Sequence, residues 1–142
     1  MLKVTKLVKS FKNGQSITQV LKGVDFAAKK GEFVAIMGRS GAGKSTFMYQ
    51  MSLLDEPNSG KIYIEGEEVH NLSEREKMDF RLAKFGYVFQ DYALLPELTA
   101  LENVELPLLM ENVKNKEANE LAAKALVMVG LGERLTNLPS QL

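Results

Sequence analysis

Residues 38–46 read G-R-S-G-A-G-K-S-T, and Gly38, Gly43, Lys44 and Ser45 stand at the spacing of a phosphate-binding loop, G-x-x-x-x-G-K-[ST]. Before them runs Phe33-Val34-Ala35-Ile36-Met37, a short apolar stretch that predicts a buried strand. After them residues 44–54 contain no Gly or Pro and predict a helix. Strand, loop and helix in that order are the context the motif requires. A glycine at positions 41 and 43 lets backbone close on a phosphate where a Cβ would obstruct it. Successive N–H groups and the start of the helix then present partial positive charge. Lys44 adds a full charge toward the β- and γ-phosphates, and the Ser45 hydroxyl is suited to Mg²⁺. A chance match of the four fixed positions arises on the order of 1% of the time in a chain of this length, given the usual glycine frequency. The loop therefore predicts a nucleoside triphosphate site.

Composition narrows the alternatives. The 142 residues carry 18 acidic and 18 basic side chains, so no net field draws the chain to nucleic acid or anionic lipid. With no cysteine and one histidine, His70, disulfides, thiolate metal sites and multi-histidine metal sites are excluded. His70 falls in a polar stretch and is expected to be a solvated loop residue. The N-terminus alternates apolar and polar residues and lacks a signal-peptide core. The strongest candidate for a membrane span, residues 104–110, is too short and contains Pro107. A soluble, cytoplasmic protein is expected.

Working along the chain, Leu2, Val4, Leu7 and Val8 mark a first strand. Residues 17–21 and 24–28 predict two further short strands, so an antiparallel sheet precedes the loop. Residues 55–60, Asp-Glu-Pro-Asn-Ser-Gly, are dense in turn formers and end the helix near Leu54. Residues 61–65 alternate as a strand. Ser73 with Glu76 forms a capping box that opens a helix to about Lys84. Phe85-Gly86-Tyr87-Val88-Phe89 predicts a buried strand ending at Gln90. Thr99 with Glu102 is a second capping box, and residues 116–129 form a helix stopped at Gly130.

With these parts in place, the chain resembles the ATP-binding subunit of ABC transporters. The likeness is carried by L-K-G-V-D-F-A-A-K-K-G-E-F-V-A-I-M-G (residues 21–38), the phosphate loop, L-L-D-E-P-N-S-G-K-I (53–62) and F-G-Y-V-F-Q-D-Y-A-L-L-P-E-L-T-A-L-E-N-V (85–104). The last of these is similar to the branch paired with permeases that export lipoproteins, peptides or macrolides. The fold implied is α/β: a P-loop NTPase of the ABC nucleotide-binding type with an N-terminal antiparallel β subdomain, incomplete at the C-terminus. Residues 1–90 would hold the β subdomain and phosphate-loop core, and 91–142 the start of the helical subdomain.

By position, the resemblance implies that Gly38, Arg39, Ser40, Gly41, Ala42, Gly43, Lys44 and Ser45 wrap the phosphates of ATP, with Thr46 assisting. Gln90 would contact Mg²⁺ and the attacking water. Phe11 would stack on adenine, for which any π-face suffices. Tyr92, Leu94 and Leu95 would meet the coupling helix of an integral-membrane permease. The implied partners are that permease and a second ATP-binding subunit, at the inner face of the cell membrane, without nucleic acid.

Residues 138–142, Leu-Pro-Ser-Gln-Leu, resemble the run before the family's signature Ser-Gly-Gly-Gln, which these 142 residues do not contain. The second acidic motif and the switch histidine are likewise missing. Phosphoryl transfer to water needs the triphosphate, Mg²⁺ and an oriented water together. The expectation is therefore nucleotide binding with negligible hydrolysis, in the N-terminal part of an ATPase subunit. The alternatives are a short non-catalytic regulatory module docking on a permease or an intact ATPase, and a small-molecule kinase. A kinase would want an Arg-rich lid, whereas Arg39, Arg75, Arg81 and Arg134 are scattered. Without sheet neighbours, residues 33–37 would be an apolar edge prone to association.

Overall fold

The N-terminal alternation becomes β1 (Leu2–Asn13), which turns at Gly14 and Gln15 into the antiparallel β2 (Ser16–Ala28). β3 (Ser59–Ile64) pairs antiparallel with the other edge of β1, and a two-residue β4 (Glu67–Glu68) closes the order β2-β1-β3-β4. The computed structural model describes residues 1–142, in two compact units, Met1–Arg81 and Leu82–Leu142.

The two strands expected over 17–21 and 24–28 are one. Leu7 pairs Val24 and Val8 pairs Lys22, so Gly23 is an extra residue on β2, held at φ 84°. A glycine there forms a bulge and lets the strand continue, where the sequence suggested a break. On β1 the extra residue lies between Val4 and Leu7, and Lys6 takes φ 50°. Its backbone N–H donates to Asp25 Oδ1 at 2.9 Å in place of a ladder bond. Gly60 of β3 crosses this bulge so closely that a Cβ would meet Leu7 Cα and Lys6 O at 2.6 Å.

The core of the first unit gathers Val4, Leu7, Leu21, Ile62 and Val69 from the sheet region with Phe47 and Met51 from α1 (Lys44–Met51). Phe26 and Phe47 meet edge to face, with centroids 5.5 Å apart. The helix expected to Leu54 ends three residues sooner, where Ser52 Oγ donates to Met48 O at 2.9 Å and Leu53 takes φ 58°.

α2 (Glu74–Lys84) starts at the expected capping box: Glu76 N donates to Ser73 Oγ and Ser73 N to Glu76 Oε2. α2 reaches back to the turn after α1. Lys77 is buried and paired with Glu56 and with Glu74, and Arg81 Nη1 donates to Leu53 O at 2.6 Å. Burial works against the Lys77 charge, but Glu56 and Glu74 hold its pKa above the ordinary lysine value.

His70 is not a solvated loop residue. Val69 N–H donates to Ile62 O at 3.0 Å, continuing the β3 pairing past β4. The imidazole is thereby drawn in to 14% exposure, where Nδ1 accepts from Ile62 N at 3.4 Å.

The second unit is a helical hairpin, α3 (Ala100–Met110) and α4 (Asn115–Met128). Ala118, Ala122 and Leu126 lie buried on one face of α4 at intervals of four, which small side chains at successive turns permit. Thr99 and Glu102 make both halves of a capping box. The N–H groups of Ala100 and Leu101 donate to the carbonyls of Asn137 and Leu135. The start of α3 is therefore closed by the chain's own acceptors. Pro107 lies within α3.

Two expected strands do not form. Residues 33–37 and 85–89 carry no strand pairing, since the sheet holds only β1 to β4. Phe33 is 97% exposed, Met37 88% and Val88 97%. An apolar run predicts burial, but a strand is made by a ladder of hydrogen bonds to a neighbour, and no segment of residues 1–142 supplies one here.

A candidate phosphate-binding site

α1 begins at Lys44 behind Gly43, which adopts φ 89° and offers no side-chain cap. The Gly43 carbonyl already accepts from Phe47 N at 2.8 Å. The N–H groups of Lys44, Ser45 and Thr46 have no acceptor within the chain, in contrast to the closed start of α3. Orphan donors at a helix start, reinforced by the helix dipole, suit an anion.

The loop ahead of the helix is organised by Lys44. Its Nζ donates to Gly38 O and to Arg39 O, each at 3.0 Å, so the side chain folds back across the loop. Ala42 N closes a turn onto Arg39 O at 3.2 Å. Ser40, Gly41, Ala42 and Ser45 are exposed, and Thr46 is half-buried. The structure thus gathers Gly38, Arg39, Ser40, Gly41, Ala42, Gly43, Lys44, Ser45 and Thr46 into one loop and helix start.

The glycines differ in what they spare. A Cβ on Gly41 would meet nothing within 4 Å, and its φ of 75° leaves that space open to a ligand. A Cβ on Gly43 would instead sit 2.8 Å from Val20 Cγ1 and 3.4 Å from Leu21 Cδ2. Gly43 is required by packing against β2 as well as by its positive φ, and not because a phosphate approaches it from that side. Between Lys9↔Leu21 and Ser10↔Gln19 the pairing register skips one residue of β2, so Val20 is itself in a bulge.

This geometry suits a nucleoside triphosphate with Mg²⁺. The open N–H groups, the open space at Gly41 and the folded-back ammonium of Lys44 are all donors or room for a polyanion. The exposed Ser45 hydroxyl is an oxygen suited to Mg²⁺. An apolar cleft of about 340 Å³ beside the loop is lined by Leu21, Phe26, Ile36, Met37, Phe47 and Lys44, among others. Its wall includes the stretch 34–37, which the sequence placed inside a sheet.

Phe11 lies on β1 opposite Thr18, near the hairpin end, and is 44% exposed. Lys9 Nζ stands over its ring, 5.2 Å from the centroid. Lys9 was not singled out by sequence; a lysine two residues before an aromatic on a strand was the available signal, since alternate strand residues share a face.

Gln90, Tyr92, Leu94 and Leu95 belong to the second unit and are all exposed. Tyr92 and Ala93 both take left-handed backbone, φ 58° and 53°. Asn103 organises the segment that follows. Its Oδ1 accepts from Leu95 N at 2.8 Å, and Nδ2 lies within 3.0 Å of the carbonyls of Leu95, Leu98 and Thr99. Asn103 was not singled out by sequence.

Residues 21–142 match the profile of the ABC transporter family. The chain belongs to that family. An uncharacterized ABC transporter ATP-binding protein of Thermotoga maritima is 47% identical, covering 100% of this chain and 62% of the relative. The lipoprotein-releasing system ATP-binding protein LolD of Bacteroides thetaiotaomicron is 45% identical over 100% of this chain and 63% of its own length. Among solved structures, a dimeric ATP-binding cassette in a post-hydrolysis state bound to ADP and Pi superimposes with a TM-score of 0.91 at 42% identity. That match covers 100% of this chain and 63% of the cassette. The chain thus spans less than two thirds of the length of these relatives, with the fold of an ABC ATPase cassette over that span.

Proposed function

We propose that the chain is the nucleotide-holding part of the ATP-binding component of an ABC transporter, a component whose binding and hydrolysis of ATP drive movement of a substrate through a separate membrane permease. The observation that carries this is Lys44 folded over a glycine loop whose following helix starts with uncapped N–H groups. In this reading Gly38, Arg39, Ser40, Gly41, Ala42, Gly43, Lys44, Ser45 and Thr46 hold the phosphates. Ser45 and Gln90 serve Mg²⁺, and Phe11 stacks on the base. Bound Mg²⁺ would neutralise charge developing on the phosphates. The chain's own contribution is to fix the polyphosphate with backbone donors and Lys44, at no reorganisation cost when charge shifts.

Residues 1–142 supply the holding parts and not the general base, so the 142-residue polypeptide binds nucleotide without turning it over. Tyr92, Leu94 and Leu95 are read as the permease-facing surface, and a second ATP-binding subunit as the partner across the nucleotide. No helix is long and apolar enough to cross a membrane, and attachment at the cytoplasmic face is assigned to the permease. The dimeric cassette supports the second subunit as partner, and the name of the lipoprotein-releasing system ATP-binding relative fits a transport assembly.

The test is calorimetric titration of the chain with Mg-ATP, beside Lys44→Ala. Binding that is lost in the variant, with no phosphate released by either, is expected. Absence of binding by the unaltered chain, or undiminished binding by Lys44→Ala, overturns the reading.

A further inference from the structure

A chain of polar contacts joins Phe11 to the phosphate-loop helix, and all of its members lie in the first unit. Lys9 Nζ is clasped by Asp55 Oδ1 at 2.7 Å and Glu56 O at 2.6 Å while it stands over the Phe11 ring. The other Asp55 oxygen, Oδ2, accepts from Gln50 Nε2 at 2.7 Å. Gln50 is a residue of α1 with no exposed surface, and its Oε1 has no partner. A fully buried amide that leaves one acceptor unmet is costly, and its amide nitrogen is satisfied by Asp55. Lys9 is itself mostly buried, its side chain 12% exposed, which fixes the ammonium instead of leaving it to sample solvent.

We propose that Lys9 is a positioning residue for the nucleotide base. Its ammonium stands over one face of the ring of Phe11, a residue 44% exposed, and the other face is assigned to a purine. Asp55 and Gln50 register that ring against the helix that carries Lys44 and Ser45. The cation is attracted to the ring quadrupole, and Asp55 with the Glu56 carbonyl holds it in place. Lys9 thus sets affinity for the base and ribose end of the ligand without touching the polyphosphate. The proposal rests on Phe11 being the base platform, and goes beyond it by naming what orients the platform.

The test compares binding of Mg-ATP and of inorganic tripolyphosphate to the full chain and to Lys9→Met, which keeps the apolar stem and removes the charge. ATP affinity is expected to fall about fivefold while tripolyphosphate affinity is retained. Lys9→Arg should restore most of the ATP preference, since guanidinium also sits over aromatic rings. Far-UV circular dichroism of each variant identifies loss of fold, and Lys9→Arg carries the comparison if Lys9→Met does not fold. An unchanged ratio of ATP to tripolyphosphate affinity in a folded Lys9→Met, or equal loss of both ligands, overturns the role of Lys9 and leaves the phosphate site standing. A chain that binds tripolyphosphate but shows no preference for ATP overturns Phe11 as platform and Lys9 with it. Failure to bind either ligand overturns the nucleotide site as a whole.

Discussion

Val20 stands over Gly43 at the start of α1 and leaves no room for a side chain there: a Cβ added to Gly43 would lie 2.8 Å from Val20 Cγ1. Val is stiff at χ1, so the clash cannot be relieved by a rotation alone. Gly43→Ala combines this with a φ of 89° and should destabilise the chain by about 2 kcal/mol or more. Gly41→Ala, with only its positive φ to resist and open space around it, should cost about half as much and act mainly on ligand binding. Thermal unfolding of the two variants, with ATP titration of each, checks the contrast. Equal loss of stability would show that the contact with Val20 is unimportant.

At the β1 bulge the tolerance is smaller still. Gly60→Ala drives a Cβ to 2.6 Å from Lys6 O and Leu7 Cα, both backbone atoms. Backbone cannot yield as a side-chain tip does, so a loss of about 3 kcal/mol or outright failure to fold is expected. A circular-dichroism melt within a degree or two of the unaltered chain would contradict it.

Acid should weaken both helix starts. Bonds from the Thr99 backbone and hydroxyl hold the Glu102 carboxyl below its ordinary 4.5, and bonds from the Ser73 hydroxyl and backbone do so for Glu76. A group whose pKa falls on folding binds fewer protons in the folded chain. Its contribution is therefore present above 4.5 and is lost as pH falls through the lower folded value. Thr99→Ala should cost about 1 kcal/mol at neutral pH and flatten the fall in stability below pH 4.5. Denaturant midpoints measured from pH 3 to pH 7 would reveal it.

Asn103 predicts a local effect. Asn103→Ala removes every side-chain bond to Leu95, Leu98 and Thr99. Amide exchange over residues 94–98 should accelerate at least tenfold while the α4 amides keep their protection. Uniform acceleration across the second unit would assign Asn103 to global stability instead.

Phe33 and Met37 expose nearly their whole surface, and Met37 lines an apolar cleft. Concentration-dependent association is expected, and Phe33→Ser should reduce it in sedimentation runs. A monodisperse monomer with a cooperative melt at high concentration would contradict this.

The phosphate loop, both capping boxes and the antiparallel character of the first sheet were legible in the sequence. Each is a local pattern in which a few residues at fixed spacing satisfy backbone donors or set a turn. The loop at 38–46 was legible for the strongest reason: its glycines and Lys44 answer a chemical requirement that does not depend on the rest of the chain. What only the tertiary structure decided are relations between distant segments. Gly23 forms a bulge and not a break, because β1 keeps pairing on both sides of it. His70 is drawn in by β3. Residues 33–37 and 85–89 have the composition of buried strands but do not join the sheet, which holds only β1 to β4. Lys9 reaches Asp55 across 46 positions of sequence. Periodicity reports what a segment could bury; whether a partner stands there to bury it against is a property of the folded chain.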